Sequence, residues 1–345
     1  WYATPTGGTS LYTGTSYSPT VNSTKSFYVD ATNNNCTSNR TEIIATVNQS
    51  PVLTNISNQS ICAGDNSAAI SFSSSISGST ISWNNSNATI GLASSGNGTI
   101  APFTTINNSS SDAVAAISAS ATANGCTGNS ISFNITVKPK PSLTSITSQS
   151  ICAGDNSSAI SFSSNIPGST VSWTNTNNAI GLASSGSGNI SSFSTINNTS
   201  SNAIATISAT ASVNGCTSLP INFVYTIKPK PTLTSISNQS ICAGDNSSAI
   251  SFSSNVAGST FSWSNTNTLI GLSGNGNGNI APFVTINNSS TNANAAITAS
   301  ATANGCTSNS TTFNITIKPK PNITNQNFSF CSSTNYTSNV IRLNS

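Results

Sequence analysis

The sequence predicts an all-β chain of tandem sandwich domains set end to end. Three observations carry this reading. Apolar residues alternate at strand period, as in Ile131-Ser-Phe133-Asn-Ile135-Thr-Val137. The stretch Ile-Cys-Ala-Gly-Asp stands at Ile61–Asp65, Ile151–Asp155 and Ile241–Asp245, a step of 90 residues each time. No segment shows a convincing helical period. A repeat this long exceeds the units of most solenoids and approaches the ~100 residues of an immunoglobulin-like sandwich, so the unit is a domain.

Within the first repeat the strands follow by alternation. Ile70 and Phe72 suggest strand B, and Ile81 with Trp83 suggest strand C. Phe103 and Ile106 lie in a middle strand; Ile117, Ala119 and Ala121 fit strand F, and Ile131 through Val137 fit strand G. Gly78-Ser79, Gly96-Asn-Gly98 and Asn124-Gly125 punctuate them. Trp83, Trp173 and Trp263 occupy equivalent positions. A sugar-stacking tryptophan would face outward, whereas sharing a face with Ile81 argues for a core residue. Lys138-Pro-Lys-Pro141, Lys228-Pro-Lys-Pro231 and Lys318-Pro-Lys-Pro321 join the domains as semi-rigid spacers, their lysines keeping the joint solvated.

Composition narrows the function. The 345 residues include nine basic, six acidic and no histidine side chains. Low charge and abundant Ser, Thr and Asn can signal disorder, but the 35% of hydrophobic residues alternate in register. A net charge of +3 spread over this length makes no patch for nucleic acid. No apolar run reaches the ~18 residues of a membrane span, and no signal peptide is visible.

Catalysis has little to work with. Of Asp30, Glu42, Asp65, Asp112, Asp155 and Asp245, only the Ile-Cys-Ala-Gly-Asp aspartate repeats, so no repeat carries a carboxylate pair. The serines lack a histidine to activate them. We read a non-enzyme without cofactor. One carboxylate per repeat is poor for calcium, and Asp65 reads instead as the Asx-type cap of a turn. Asn-x-Ser/Thr triplets are incidental to the composition, and no threonine ladder suited to ice recurs from strand to strand.

The eight cysteines never form a Cys-x-x-Cys pair and have no histidine to share a metal with, so disulfides in an oxidising extracellular compartment are the better reading. Cys62, Cys152 and Cys242 correspond, as do Cys126, Cys216 and Cys306. Two pairings are open. One lies within each repeat (Cys62–Cys126, Cys152–Cys216, Cys242–Cys306), leaving Cys36 and Cys331 with partners elsewhere. The other joins successive repeats, Cys62–Cys216 and Cys152–Cys306, because a turn before strand B and an F–G loop lie at opposite ends of one sandwich, too far apart for the ~7 Å that a disulfide allows.

Ile-Cys-Ala-Gly-Asp, then Gly-Ser-Thr-x-Ser-Trp, Asn-Gly-Cys and the terminal Lys-Pro-x-Pro together resemble the PKD-like, Ig-like repeats of Bacteroidota surface proteins, over residues 51–321. Trp1-Tyr2, Gly7-Gly8, Tyr17-Ser-Pro19, Phe27-Tyr28-Val29 and Asn35-Cys36-Thr-Ser-Asn-Arg40 resemble the second half of another Ig-like module. The domains expected are 1–50 (the C-terminal part of an Ig-like domain), 51–141, 142–231 and 232–321 (three PKD-like repeats), and 322–345 (the start of a further unit, with Phe330-Cys331 in the Ile-Cys place). The chain reads as a window on something longer. The resemblance implies a very large protein exported by type IX secretion and held on the outer membrane, the best-known kind being the gliding-motility adhesin of the SprB type. Its partners would be surfaces, polysaccharide or other cells, reached through parts outside this window, together with neighbouring repeats. The alternative is a polysaccharide-binding array of a secreted enzyme. The aromatics shared by the repeats (Trp83, Phe72, Phe103, Phe133 and equivalents) stand at core positions, which favours the stalk.

Overall fold

The computed structural model describes residues 1–321. Phe330-Cys331 and the further unit expected over 322–345 lie outside the described residues. The chain forms two compact units: one holds Trp1–Ser142 with Ser164–Ser169 and Ala211–Leu219, the other Leu143–Ser163, Thr170–Thr210 and the chain from Pro220 onward. It is all-β, with sheets repeated along the sequence.

In the opening segment, β1 (Lys25–Val29) pairs antiparallel with β4 (Thr41–Ala45), and β2 (Thr32–Asn33) with β3 (Cys36–Thr37) makes a hairpin. Its two turn residues, Asn34 and Asn35, both have positive φ, as a tight hairpin turn demands. Arg40 organises this segment. Its guanidinium reaches Asp30 at 3.4 Å, donates to the Thr4 and Gly7 carbonyls, and lies 3.3 Å over the Tyr2 ring. That planar, five-donor group can serve all four partners where a lysine could not.

The first repeat contributes β5 (Gln59–Cys62), β6 (Thr80–Asn85), β7 (Ser95–Asn97), β8 (Ala113–Ala123), β9 (Cys126–Thr127) and β10 (Ile131–Lys138). They build one sheet in the order β5-β10-β8-β6-β7, with β9 folded back on β8. The second repeat gives β11 (Gln149–Cys152), β12 (Thr170–Asn175), β13 (Ser185–Ser187), β14 (Ala203–Val213), β15 (Cys216–Thr217) and β16 (Ile221–Lys228). The third gives β17 (Gln239–Cys242), β18 (Thr260–Asn265), β19 (Asn275–Asn277), β20 (Ala293–Ala303), β21 (Cys306–Thr307) and β22 (Thr311–Lys318), in the same order.

The two longest strands show why the sheet forms. On β8, Ala115, Ile117, Ala119 and Ala121 point one way and are buried; on β10, Phe133, Ile135 and Val137 do the same. Serines, threonines and asparagines take the solvent face, so each strand buries every second residue. Alanines on β8 leave room for the indole of Trp83, which lies in the same cluster as Ile70, Ile90, Ile100 and Ile135.

The opposite layer differs from the expectation. Neither Ile70 and Phe72 nor Phe103 and Ile106 lie in a strand. The segments meet through single bridges instead, Ile70 with Ile100 and Asn66 with Thr104. The physical reason lies in the hydroxyls: Ser67 Oγ accepts the Phe103 N–H, and Thr105 Oγ1 donates to the carbonyls of Cys62 and Asp65. Side chains take backbone partners that a ladder would have used. Ile106 is largely exposed. Ile70 and Ile100 still enter the core, so the layer packs as expected while its hydrogen bonding is irregular.

Candidate functional site: the cysteine sockets and hairpins

The repeated Ile-Cys-Ala-Gly-Asp is half strand and half turn. Ile61 and Cys62 end β5, which runs parallel to β10 with Cys62 opposite Lys138. The chain then turns. Ala63 donates its N–H to the Lys138 carbonyl at 2.9 Å, Gly64 to that of Thr105 at 2.8 Å, and Asp65 to that of Cys62 at 3.1 Å. Gly64 sits at φ +84°, open to glycine and costly for any side chain. Thr105 closes the ring, its hydroxyl 2.8 Å from the Cys62 carbonyl oxygen. The cysteine therefore stands at the end of a fixed strand, on a backbone held from both sides.

The second cysteine class is presented by a different device. Asn214 and Gly215 have φ of 50° and 84°, and the flanking pairs are Ser212 with Thr217 and Val213 with Cys216. This is a two-residue hairpin with positive φ at both central positions, for which Asn-Gly is the strongest short signal. The residue after Asn-Gly is thereby fixed at the hairpin tip, and that residue is Cys216. Asn124-Gly125-Cys126 and Asn304-Gly305-Cys306 repeat the device.

In the first unit the two devices meet. Cys62 is bonded to Cys216 with a Cα–Cα distance of 5.6 Å, inside the usual range for a disulfide. Cys62 Sγ lies 3.9 Å from the Gly215 carbonyl oxygen, and Lys138 Nζ donates to the Asn214 carbonyl at 3.0 Å. In the second unit Cys152 is bonded to Cys306, again at 5.6 Å and again across 154 residues of sequence. Its socket repeats the same cage: Ala153 to Lys228, Gly154 to Thr195 and Asp155 to Cys152, at 2.9, 2.8 and 3.1 Å. Cys62 is thus joined not to Cys126 of its own repeat but to a cysteine of the next.

Three cysteines are free among the described residues: Cys36, Cys126 and Cys242. Cys126 lies 3.6 Å from the Asn48 carbonyl, and Asn48 Nδ2 donates to the Asn124 carbonyl, so Asn48 serves this hairpin as Lys138 serves the hairpin of Cys216.

Two readings of polar residues need correction. The Asp65 carboxylate is not an Asx cap; it lies 3.1 Å from Lys140 Nζ. Lys138 and Lys140 therefore have protein partners and do more than solvate the linker. The Asp65–Lys140 pair is substantially exposed, so it adds little stability. Trp83, Trp173 and Trp263 are buried at 6%, 7% and 8% exposure. Gly96 explains the fit, because a Cβ there would lie 2.3 Å from the Trp83 ring. Among the described residues no group of three or more Cys, Asp or Glu could hold a metal ion, and no helix is long and apolar enough to cross a membrane.

Residues 1–48 match the family described as "Ig-like domain CHU_C associated". The opening segment is thus similar to an Ig-like domain. No curated protein matches the sequence. Among solved structures, a titin segment of domains I67–I69 carrying E-to-A changes gives a TM-score of 0.41 at 9% identity, covering 79% of this chain and 99% of that one. Domains EC22–24 of mouse cadherin-23 give 0.33 at 10% identity, covering 79% and 100%. Immunoglobulin domains 1–5 of Sidekick-1 give 0.29 at 16% identity, covering 88% and 68%. These neighbours are themselves tandem arrays, and at such scores no function follows from them. The chain is an array of repeated β sheets that carries disulfides, and disulfides of this kind persist outside the reducing cytosol.

Proposed function

We propose that this chain is a load-bearing stalk segment of a large bacterial cell-surface adhesin, a type IX secretion substrate of the gliding-motility kind, attached at the outer membrane. The repeats set reach, and parts of the protein beyond them meet a surface, a polysaccharide or another cell. The observation that carries the reading is the overlap of the two disulfides. Cys152 lies within the loop closed by Cys62–Cys216, and Cys216 lies within the loop closed by Cys152–Cys306. A pull from the two ends therefore cannot draw out residues 62–152 or 216–306. The shortest covalent route from Cys62 to Cys306 runs through both disulfides and only the segment 152–216. Such redundancy is of little use to an enzyme and of direct use to a tether.

Pulling single molecules tests this. At ~3.5 Å per extended residue, reduction should release roughly 600 Å of extra length. An oxidised chain that extends as far as the reduced one contradicts the load-bearing role. The competing polysaccharide-binding array would need an exposed aromatic platform in each repeat, and the shared tryptophans are buried. Retention of the chain on immobilised polysaccharide would favour that alternative.

A further inference from the structure

Among the described residues, the third repeat carries a socket without an occupant. Cys242 ends β17 opposite Lys318, as Cys62 ends β5 opposite Lys138. Its cage repeats the other two: Ala243 donates to Lys318 at 2.9 Å, Gly244 to Thr285 at 2.8 Å and Asp245 to Cys242 at 3.1 Å. Thr285 Oγ1 reaches the Cys242 carbonyl at 2.8 Å and that of Asp245 at 2.9 Å. Gly244 takes φ +88°, beside +84° and +89° at Gly64 and Gly154. The geometry that holds Cys62 and Cys152 in disulfides is already in place around Cys242. The difference is cover: Cys62 and Cys152 are half-buried, whereas Cys242 is exposed and free.

Other features carry less. The cleft beside Trp173 is lined by that indole, serines, threonines and Gly186 and holds no charged side chain. The exposed Ile106, Ile196 and Ile286 stand singly, which is ordinary for a protein surface. Cys36 follows a positive-φ hairpin turn as Cys216 and Cys306 do, but among the described residues no free socket cysteine other than Cys242 is left to take it.

We propose that Cys242 is a docking site for the Asn-Gly-Cys hairpin of a repeat following in the same polypeptide, sealed by a disulfide. The occupant is identified by the two filled sockets: each takes the cysteine that follows an Asn-Gly turn, 154 residues on. Joining two thiols removes two electrons and two protons. An oxidised thiol–disulfide pair in the extracellular medium, such as a glutathione couple, accepts them and is itself reduced to two thiols. The site rests on the socket geometry and not on the adhesin reading, and it can fail while that reading stands.

The test keeps the whole chain and inserts a second copy of residues 232–321 between Pro321 and Asn322. After oxidation in a glutathione buffer, free thiols are labelled with a maleimide and disulfide-linked peptides are mapped. Cys62–Cys216 and Cys152–Cys306 serve as internal controls that the protein has folded. Cys242 should label readily in the parent chain and at least tenfold less in the extended one. It should be linked there to the cysteine after the inserted Asn-Gly, and the inserted copy's own Ile-Cys-Ala-Gly-Asp cysteine should become the reactive thiol. Equal labelling of Cys242 in both chains, with the two controls formed, overturns the proposal. So does a link from Cys242 to Cys126 of a second copy, which would make the occupant another molecule.

Discussion

Trp83 and Tyr225 define the stability of their repeats at the level of single side chains. The Trp83 indole fills the space left by Gly96, and its Nε1 is buried without a partner. The tryptophan therefore stabilises through bulk rather than hydrogen bonding. Trp83→Ala should cost roughly 3–5 kcal/mol, seen as a lower urea midpoint, and acrylamide should scarcely quench the tryptophans of the folded repeats. Tyr225 is fully buried and its hydroxyl also lacks a partner; burial pushes its pKa up to about 12. Raised ionisation means that the unfolded chain loses its proton first, from about pH 10. This tyrosine's contribution to stability should thus hold below about pH 10 and be lost as pH rises through 12. The sister positions, 135 and 315, are both isoleucine. Tyr225→Phe, which removes an unpaired buried hydroxyl, should raise stability by about 1 kcal/mol and flatten the alkaline fall in urea titrations at pH 9 to 12.

At the scale of the element, legibility tracked the source of each strand's order. β6, β8 and β10 alternate apolar and polar residues because one face is buried, so period alone located them. β5 stayed hidden. Gln59-Ser-Ile-Cys62 is short and mostly polar, and its order comes from parallel pairing with β10, which a local reading cannot see. The segments around Ile70 and Phe103 failed in the other sense: their apolar residues reach the core, but serine and threonine hydroxyls take the backbone partners. Of the site, the two cysteine classes and the Asn-Gly turns were legible from spacing. The roles of Lys138 and Asn214 were not, since they face each other across 76 residues. The hairpin makes its own prediction. Gly215 sits at φ +84°, a region in which a β-branched residue is strongly disfavoured. Gly215→Val should distort the turn and leave Cys62 open to alkylation, whereas Ser212→Thr at the paired flank should leave it protected.

Over the whole chain, three near-copies of a small, weakly charged domain are tied by covalent bonds that overlap in sequence. In the loop-entropy picture, closing 154 residues stabilises the folded state by on the order of 5 kcal/mol, and overlapping loops share part of that gain. The consequence for a tether is that the stretches 62–152 and 216–306 are shielded from a pull while both bonds hold, and only 152–216 lies on the load path. The covalent arrangement turns on the pairing of socket with hairpin. Digestion of the unreduced protein, followed by mass mapping of the linked peptides, tests it most directly. Flanking residues distinguish the copies: Val213 precedes Asn214-Gly-Cys216, whereas Ala123 precedes Asn124-Gly-Cys126. Socket-to-hairpin pairing predicts peptides that join Cys62 to Cys216 and Cys152 to Cys306. A peptide joining Cys62 to Cys126 would contradict it.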